Sequence, residues 1–331
     1  MAATATSRTI SGGEALGMFT RQGLEQFKNE VQSLVKLQHS NLVRLVGCCV
    51  HEQEYLLVYE YMPNGSLDQF IFGNNHSTRC CVDRFWGVWL ILFDFADRQR
   101  QPLLGWEKRL RIIGGVADGL LYLHKHSRVR VIHWDLKSSN ILLDKELSPK
   151  ISDFGLAKIF RPNTLEGNSK RVVGTLGYIA PECSREGTFS VKSDVYSFGV
   201  LVLEIIGGKR NSEFSCIARH VSIKESELID PALGVQGEVG IIVRYIKVAL
   251  LCVQDSAMDR PTMAEVIAML AVRGDAGSLP EPRCPRQVSS SGVSTGLPPS
   301  GVSTDMLGIQ TQSRHTKSSI NEVSITVIEG R

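Results

Sequence analysis

HWDLKSSN, residues 133–140, and DFG, residues 153–155, are the two stretches that decide the fold of this chain. The second motif begins thirteen residues after the first one ends. Residues 129–132, 141–143 and 150–152 flank the motifs and are interpreted as short β-strands. Strands at these positions would bring the polar side chains of both motifs to one place, namely Asp135, Lys137, Asn140 and Asp153.

Further motifs follow in a fixed order along the chain. GTLGYIAPE occupies residues 174–182, and SDVYSFGVLVLEI, residues 193–205, has the apolar composition of a buried helix. DRPTM follows, with Arg260 as its second residue. The ordered set resembles the protein kinase family, and the resemblance covers roughly residues 22–272.

Longer runs are similar to the cytoplasmic domains of plant receptor-like kinases of the S-domain and cysteine-rich receptor types. They are FKNEVQSLVKLQHSNLVRLVGCC at 27–49, LVYEYMPNGSLDQFIF at 57–72, ALLCVQDSAMDRPTM at 249–263 and NEVSITVIEGR at 321–331. This finer resemblance implies a serine/threonine protein kinase, as Lys137 in the first motif also does.

The resemblance implies an α+β, bilobal protein-kinase-like fold. A small N-lobe, residues 22–62, would hold a partial sheet and one helix, and a larger, mainly helical C-lobe would cover 106–273. Residues 1–21 do not match the family, and residues 73–105 form an insertion. The tail, 274–331, is rich in Ser, Thr, Gly and Pro and is predicted to be disordered.

Catalysis and cofactor binding would fall on four polar residues, by the same resemblance. Asp135 would position the acceptor hydroxyl and Lys137 would steady the transferred phosphate. Asn140 and Asp153 would bind Mg²⁺ and, through it, the phosphates of ATP. ATP and Mg²⁺ are therefore the implied cofactors.

A second set of residues would hold or regulate this site. Glu60 to Met62 match the hinge whose backbone hydrogen-bonds adenine, so Glu60 and Met62 are assigned to cofactor binding. Glu30 matches the ion-pairing glutamate of the regulatory helix. The other structural or regulatory positions are His133 as a core packing residue, Trp134, Phe154 and Gly155 of DFG, Thr175, Glu182 paired with Arg260, and Asp194 bracing the catalytic loop.

The secondary structure of the small lobe follows from periodicity. Apolar residues at helical spacing predict a helix over 22–37, with Phe27, Val31, Leu34 and Val35 on one face. The other predicted elements are strands over 41–50 and 55–61 and a long helix over 106–126.

The small lobe departs from the family pattern. No G-x-G-x-x-G is present, and the first lysine of the chain, Lys28, lies two residues before Glu30 on the same predicted helix. It cannot serve as the strand lysine that grips the phosphates while paired with Glu30. We expect a marginal sheet of two strands and a nucleotide site without its upper half.

Trp134 is the second departure, since most relatives carry arginine at this position. That arginine pairs with a phosphate on the activation loop, which tryptophan cannot do. Two interpretations are open: a kinase that needs no loop phosphorylation, or a chain under relaxed selection after loss of activity.

Two further departures concern the connections. The insertion contains FWGVWLILFDFA at 85–96, which as a helix would cover about 18 Å of the roughly 30 Å apolar core of a bilayer. We favour retained non-coding sequence over a docking surface as its origin. Residues 208–227 lack the tryptophan-bearing helix that helps to dock substrate in the family.

Composition sets the remaining bounds. A net charge of +3 gives no argument for nucleic acid binding. None of the eight cysteines has C-x-x-C spacing, so reduced thiols are expected rather than a zinc site. The chain shows no signal peptide, myristoylation site or membrane span. We expect a cytoplasmic protein, brought to the inner face of the plasma membrane only by partners.

Two classes of function therefore stay open. The first is transfer of the ATP γ-phosphate to protein serine or threonine, with protein substrates as partners. The second is a catalytically dead pseudokinase or kinase fragment that binds partner kinases as a scaffold. The intact motifs around Asp135 and Asp153 favour the first, and the missing lysine, the missing glycine loop and Trp134 favour the second.

Overall fold

The computed structural model describes residues 21–51, 54–72, 88–90, 104–160, 166–169, 173–211, 228–231, 239–272 and 279–282. The chain divides after residue 285 into two units, and every described residue lies in the first. Most of the predicted insertion, tail and N-terminal segment lies outside the described residues, as does most of 208–227. Nine strands and seven α-helices lie among the described residues.

The helices are α1 (Arg21–Leu34), α2 (Asp68–Ile71), α3 (Trp106–Leu121), α4 (Pro181–Arg185), α5 (Val191–Gly207), α6 (Val239–Cys252) and α7 (Met263–Ala271). A π-helical turn, Tyr122–His126, continues α3, and 3₁₀ turns occupy Ser138–Asn140 and Ala257–Asp259. The strands are β1 (Leu45–His51), β2 (Glu54–Tyr59), β3 (Val88–Leu90), β4 (Arg130–Ile132), β5 (Ile141–Leu143), β6 (Pro149–Ile151), β7 (Lys158–Phe160), β8 (Glu166–Asn168) and β9 (Thr188–Ser190).

The first sheet has three strands in the order β1-β2-β3, where the sequence predicted two. β1 and β2 are antiparallel, and β3, which comes from the insertion, pairs with β2 in parallel. Residues 41–44 do not extend β1 as predicted, because Val43 N–H donates to the carbonyl of Ile151 at 2.9 Å. Leu42 and Val43 are thus tied to Ile151 of β6, whereas Arg44 already pairs with Glu60, the residue after β2.

Helix α1 forms where the periodicity predicted it, but its C-terminal end is earlier. Phe27 and Leu34 are buried, whereas Val35 lies just beyond the helix and is 73% exposed. The assignment of Val35 to the buried face was therefore wrong. The Phe27 ring packs on Tyr55 of β2 at a centroid distance of 5.0 Å, which places α1 against the sheet.

Helix α5 lies at the centre of the main hydrophobic core. Fourteen of its residues are buried, as expected of a helix enclosed by other parts of the fold, and most of them are apolar. Ser190 begins it with a capping box to Ser193, and Gly208 ends it at a φ of +67°, a conformation that glycine adopts without strain. The core includes apolar residues of α3, α5 and α6.

Short antiparallel strand pairs surround the two motifs. β5 pairs with β6, β4 with β7, and β8 with β9. The predicted strands over 129–132, 141–143 and 150–152 are present, with the first beginning at 130 and the last shifted to 149–151. The mixed α+β class is confirmed. Among the described residues, no helix has the length and apolar character needed to cross a bilayer.

Candidate active site

Asp135, Lys137 and Thr175 form one hydrogen-bonded group. The Lys137 ammonium lies 3.0 Å from Asp135 Oδ2, and Thr175 Oγ1 donates to Asp135 Oδ1 at 2.7 Å. Lys137 Nζ also donates to Thr175 Oγ1 at 3.0 Å. A hydroxyl group thus sits between a carboxylate that can accept its proton and an ammonium group that can bind a phosphate oxygen.

Asn140 and Asp153 provide oxygen atoms of the kind that bind Mg²⁺. Asn140 Nδ2 donates to the Asp135 backbone carbonyl at 2.9 Å, which leaves its side-chain oxygen for a cation. Asp153 is exposed, and among the described residues its Oδ1 accepts a long 3.3 Å hydrogen bond from Gly155 N–H. Carboxylate and amide oxygens are suitable ligands for Mg²⁺, so this donor set fits the metal that the sequence implied.

Asp194 anchors the start of the predicted catalytic loop, residues 133–140. It is fully buried on α5, and its two carboxylate oxygens accept the backbone N–H groups of His133 and Trp134, both at 2.8 Å. His124 Nε2 lies 2.9 Å from the same carboxylate. These hydrogen bonds stabilise a φ of +67° at Trp134, which is uncommon for a bulky residue.

His133 packs and hydrogen-bonds in the interior rather than facing a substrate. Its ring is fully buried, meets Phe154 edge-on at a centroid distance of 4.9 Å, and its Nε2 lies 3.0 Å from the Ser152 carbonyl. Phe154 is itself fully buried. The two motifs are therefore packed together through their first and second residues respectively.

Glu30 is 8% exposed, and the described residues give it no basic partner. Tyr59 O–H and Phe154 N–H, the latter at 3.3 Å, donate to its Oε1 instead. Burial and then the nearby charge of Asp153 raise the pKa of Glu30 to about 7, against an ordinary value of 4.5. The sequence analysis missed Tyr59, because only the folded structure places it opposite α1.

Glu30→Gln is expected to flatten the pH dependence of stability between about pH 4.5 and pH 7. The raised pKa means that the folded state disfavours the charged carboxylate, so wild-type stability falls as pH rises from about 4.5 to about 7. The full effect is on the order of 3 kcal/mol, and glutamine can still accept from Tyr59. Urea unfolding of both proteins in metal-free buffer measures it, and parallel pH profiles would contradict the assignment.

The hinge residues have defined contacts. Glu60 N–H donates to the Arg44 carbonyl at 3.0 Å, and the Glu60 carboxylate lies 3.6 Å from Lys150 Nζ. Met62 is buried, and its carbonyl accepts from Gly65 N–H at 3.1 Å. Glu60 directly follows β2, the central strand of the first sheet, and Met62 lies two residues further along the chain.

Arg260 and Glu182 form a bidentate ion pair. Arg260 is 1% exposed, and its two terminal nitrogens donate to the Glu182 carboxylate at 2.8 and 2.7 Å. Burial alone would raise the pKa of Glu182, but the hydrogen bonds and charge of Arg260 outweigh it and lower that pKa. The pair joins the end of the segment that carries Thr175 to the loop before α7.

A buried polar network that the sequence analysis missed lies behind Thr175. Tyr178 O–H donates to the carboxylate of Glu204 and lies 3.2 Å from Ser138 Oγ. Glu204 also accepts from Asn211 N–H at 2.8 Å. The one available signal was an acidic residue inside the apolar run of α5. The network connects the catalytic loop to the segment that carries Thr175.

Trp134 makes apolar contacts at the position where the arginine of most relatives would form an ion pair. Its ring is stacked on Phe189 at a centroid distance of 4.1 Å and an interplanar angle of 20°. Lys158 Nζ lies 5.9 Å from the centre of the same ring. The residue therefore has a defined place in the fold rather than a loose position in solvent.

Comparison with known proteins gives one family and a set of plant relatives. The family model described as protein tyrosine and serine/threonine kinase matches residues 17–270. G-type lectin S-receptor-like serine/threonine-protein kinases of Arabidopsis thaliana are similar to this chain. B120 is 45% identical over 321 residues, which are 94% of this chain and 34% of B120. SD1-1 is 45% identical over 322 residues, with the same two shares. The chain thus spans about a third of the length of these relatives.

Proposed function

The chain belongs to the protein tyrosine and serine/threonine kinase family, and we propose that it transfers the γ-phosphate of ATP to serine or threonine hydroxyls of proteins. The observation that carries this proposal is the contact of Asp135 and Lys137 with one hydroxyl, that of Thr175. A substrate hydroxyl placed at the same carboxylate oxygen would have its base within 2.7 Å. The names of the plant relatives support serine and threonine as acceptors.

Each residue of the group has one task in this reaction. Asp135 orients the acceptor hydroxyl and takes its proton, and Lys137 stabilises the negative charge on the transferred phosphoryl group. When bound, Mg²⁺ neutralises charge on the ATP phosphates, and Asn140 with Asp153 would hold it. Asp194 keeps the loop in place, since it binds the two N–H groups just before Asp135.

The site of action is part of the proposal. Receptor-like relatives favour a role in signalling at the inner face of the plasma membrane, with protein substrates or partner kinases bound there. The alternative of a non-catalytic scaffold gains no support from the described residues or from the comparisons. It remains the outcome expected if transfer fails.

The experiment that tests the function is phosphoamino acid analysis. The full chain is incubated with γ-labelled ATP, Mg²⁺ and a mixture of peptides that carry serine, threonine or tyrosine. We expect label on serine and threonine, and no transfer when Mg²⁺ is chelated. Label on tyrosine alone would overturn the acceptor class, and no label from a folded preparation would overturn the enzyme.

Asp153→Ala is expected to abolish the Mg²⁺-dependent part of nucleotide binding. At a hundred times its dissociation constant, ATP with Mg²⁺ stabilises a binding protein by about 2.7 kcal/mol. Thermal unfolding with ATP, with and without Mg²⁺, measures this shift. Asp118→Ala, on the exposed side of α3, is the control and should keep the wild-type response. An unchanged Mg²⁺ response in Asp153→Ala would contradict the metal assignment.

A further inference from the structure

Trp134 lies at the meeting point of the catalytic loop and the segment that carries Thr175. Its ring stacks almost parallel on Phe189 of β9. Phe189 in turn meets Phe160 of β7 at 5.6 Å and 74°, an edge-to-face arrangement. Both geometries are favourable for aromatic pairs. Three aromatic rings in contact therefore connect Trp134, the residue before Asp135, to β9 and then to β7.

A separate apolar cluster surrounds these rings. We call it the tryptophan cluster: Trp134, Phe160, Phe189, Ile132, Ala180 and Cys183. Its members, Trp134 excepted, are less than 9% exposed. They come from β4, the loop 133–140, β7, β9 and the start of α4, where Ala180 is the N-cap and Cys183 lies in the first turn. The cluster is distinct from the main core around α5.

The antiparallel pair of strands β8 and β9 contacts the cluster. A Cβ atom at Gly167 of β8 would come within 2.5 Å of the Phe189 ring and 2.9 Å of the Phe160 ring. Gly174 approaches from the other side, at a φ of +117°, with its Cβ position 3.1 Å from the Trp134 carbonyl. Two glycines thus allow the segment to sit against the aromatic rings and the loop.

The charges around Trp134 explain why an aromatic ring suits this position. The Lys158 ammonium lies 5.9 Å from the ring centre, within reach of a cation–π attraction, and Lys158 forms no ion pair among the described residues. An arginine at 134 would place a second cation beside Lys158, and the two charges would repel unless an anion lay between them. The indole needs no anion.

We propose that Trp134 is a positioning residue whose stack on Phe189 holds the segment that carries Thr175, described at 166–169 and 173–190, against the loop 133–140 in the unphosphorylated chain. The stack replaces a charge interaction that requires a modified side chain with an apolar contact that is present as soon as the chain folds. Because Thr175 lies in this segment and contacts Asp135, the stack also maintains the geometry around the proton acceptor. This last step rests on the proposed function, whereas the ordering of the segment does not.

Hydrogen exchange on the full chain tests the ordering. The protein is treated with a broad-specificity phosphatase, its mass is verified, and amide exchange is followed over 166–169 and 187–190, where Ser169 N–H donates to the Gly187 carbonyl at 2.9 Å. We expect protection in the unphosphorylated wild type. Trp134→Leu, which keeps apolar volume without a ring, should exchange about tenfold faster there. Trp134→Phe should retain most of the protection.

Two further variants serve as controls for the hydrogen-exchange result. Tyr122→Ala removes another stacked ring, packed on His39 at 4.9 Å, and should leave exchange over 166–169 and 187–190 unchanged. Gly167→Ala drives a methyl group into Phe189 and should loosen the pair of strands β8 and β9 even if Trp134 variants fold poorly. Equal exchange in wild type and Trp134→Leu, or an unprotected wild type that becomes ordered only after phosphorylation, would overturn the proposal.

Kinetics separate positioning from general stability. With a peptide substrate, Trp134→Leu should raise KM for the peptide and lower kcat by about tenfold, with KM for ATP unchanged, and Trp134→Phe should restore both. Phosphatase treatment should not change the wild-type rate. If no preparation transfers phosphate, the proposed function fails while the exchange result still decides the role of Trp134.

Discussion

Asp135→Asn is expected to lower the rate of phosphoryl transfer by a factor of about 10² to 10⁴, the range for loss of a positioned proton acceptor. Asparagine can still contact Thr175 and Lys137, but its amide cannot take a proton from a hydroxyl. Initial rates at saturating ATP, Mg²⁺ and peptide measure the effect. The melting temperature should change little, because the substitution keeps the shape of the side chain.

A matched control shows that the effect belongs to the site. Asp118→Asn makes the same chemical change on the exposed surface of α3 and should leave the transfer rate within about twofold of wild type. Equal losses in both variants would point to a fault of the preparation. A fully active Asp135→Asn protein would remove Asp135 from the mechanism.

Arg260→Met is expected to lower the free energy of unfolding by about 3–5 kcal/mol, the range for removing one partner of a largely buried ion pair; the Arg260 side chain is fully buried and that of Glu182 is 14% exposed. Arg260 is 1% exposed and holds Glu182 through two hydrogen bonds, and it also donates to the carbonyls of Gln254, Lys192 and Asp255. Denaturant unfolding measures the loss. Methionine keeps most of the volume, so the change reports mainly on the polar contacts.

Two comparisons define the Arg260 result. Arg111→Met breaks an exposed ion pair with Glu107 at 3.3 Å on α3, and its cost should stay within about 0.5 kcal/mol. Adding Glu182→Gln to Arg260→Met should recover part of the lost stability, since it removes the unpaired charge. A loss of less than 1 kcal/mol in Arg260→Met would show that the pair is of little consequence for the fold.

The motifs predicted the central part of the fold because they depend on local sequence. Short local patterns were enough to place three kinds of element. These are the DFG and HWDLKSSN motifs, the strands that flank them, and the helix that begins near Asp194. Each lies within a residue or two of its expected bounds. The pairing of Glu182 with Arg260 followed from family resemblance and not from any pattern in the chain, since 78 residues separate them.

Contacts between distant residues could not be predicted from the sequence. Glu30 was expected to lack its usual lysine partner, but nothing in the sequence indicated that Tyr59 of β2 donates a hydrogen bond to it instead. Trp134 was interpreted only as the absence of an arginine, because nothing in the sequence indicates that Phe189, 55 residues later, stacks on it. The third strand of the first sheet also came from the insertion, where no alternating pattern suggested a strand.

The account as a whole depends on one claim, that the group formed by Asp135, Lys137 and the Thr175 hydroxyl belongs to a working phosphotransfer site. The most direct measurement is the initial rate of label transfer from γ-labelled ATP to a serine or threonine peptide, with wild type and Asp135→Asn prepared and assayed side by side in Mg²⁺. The account predicts transfer by the wild type that is at least about a hundredfold above that of the variant. Equal rates in the two proteins, or no transfer by a wild type shown to be folded, would contradict it.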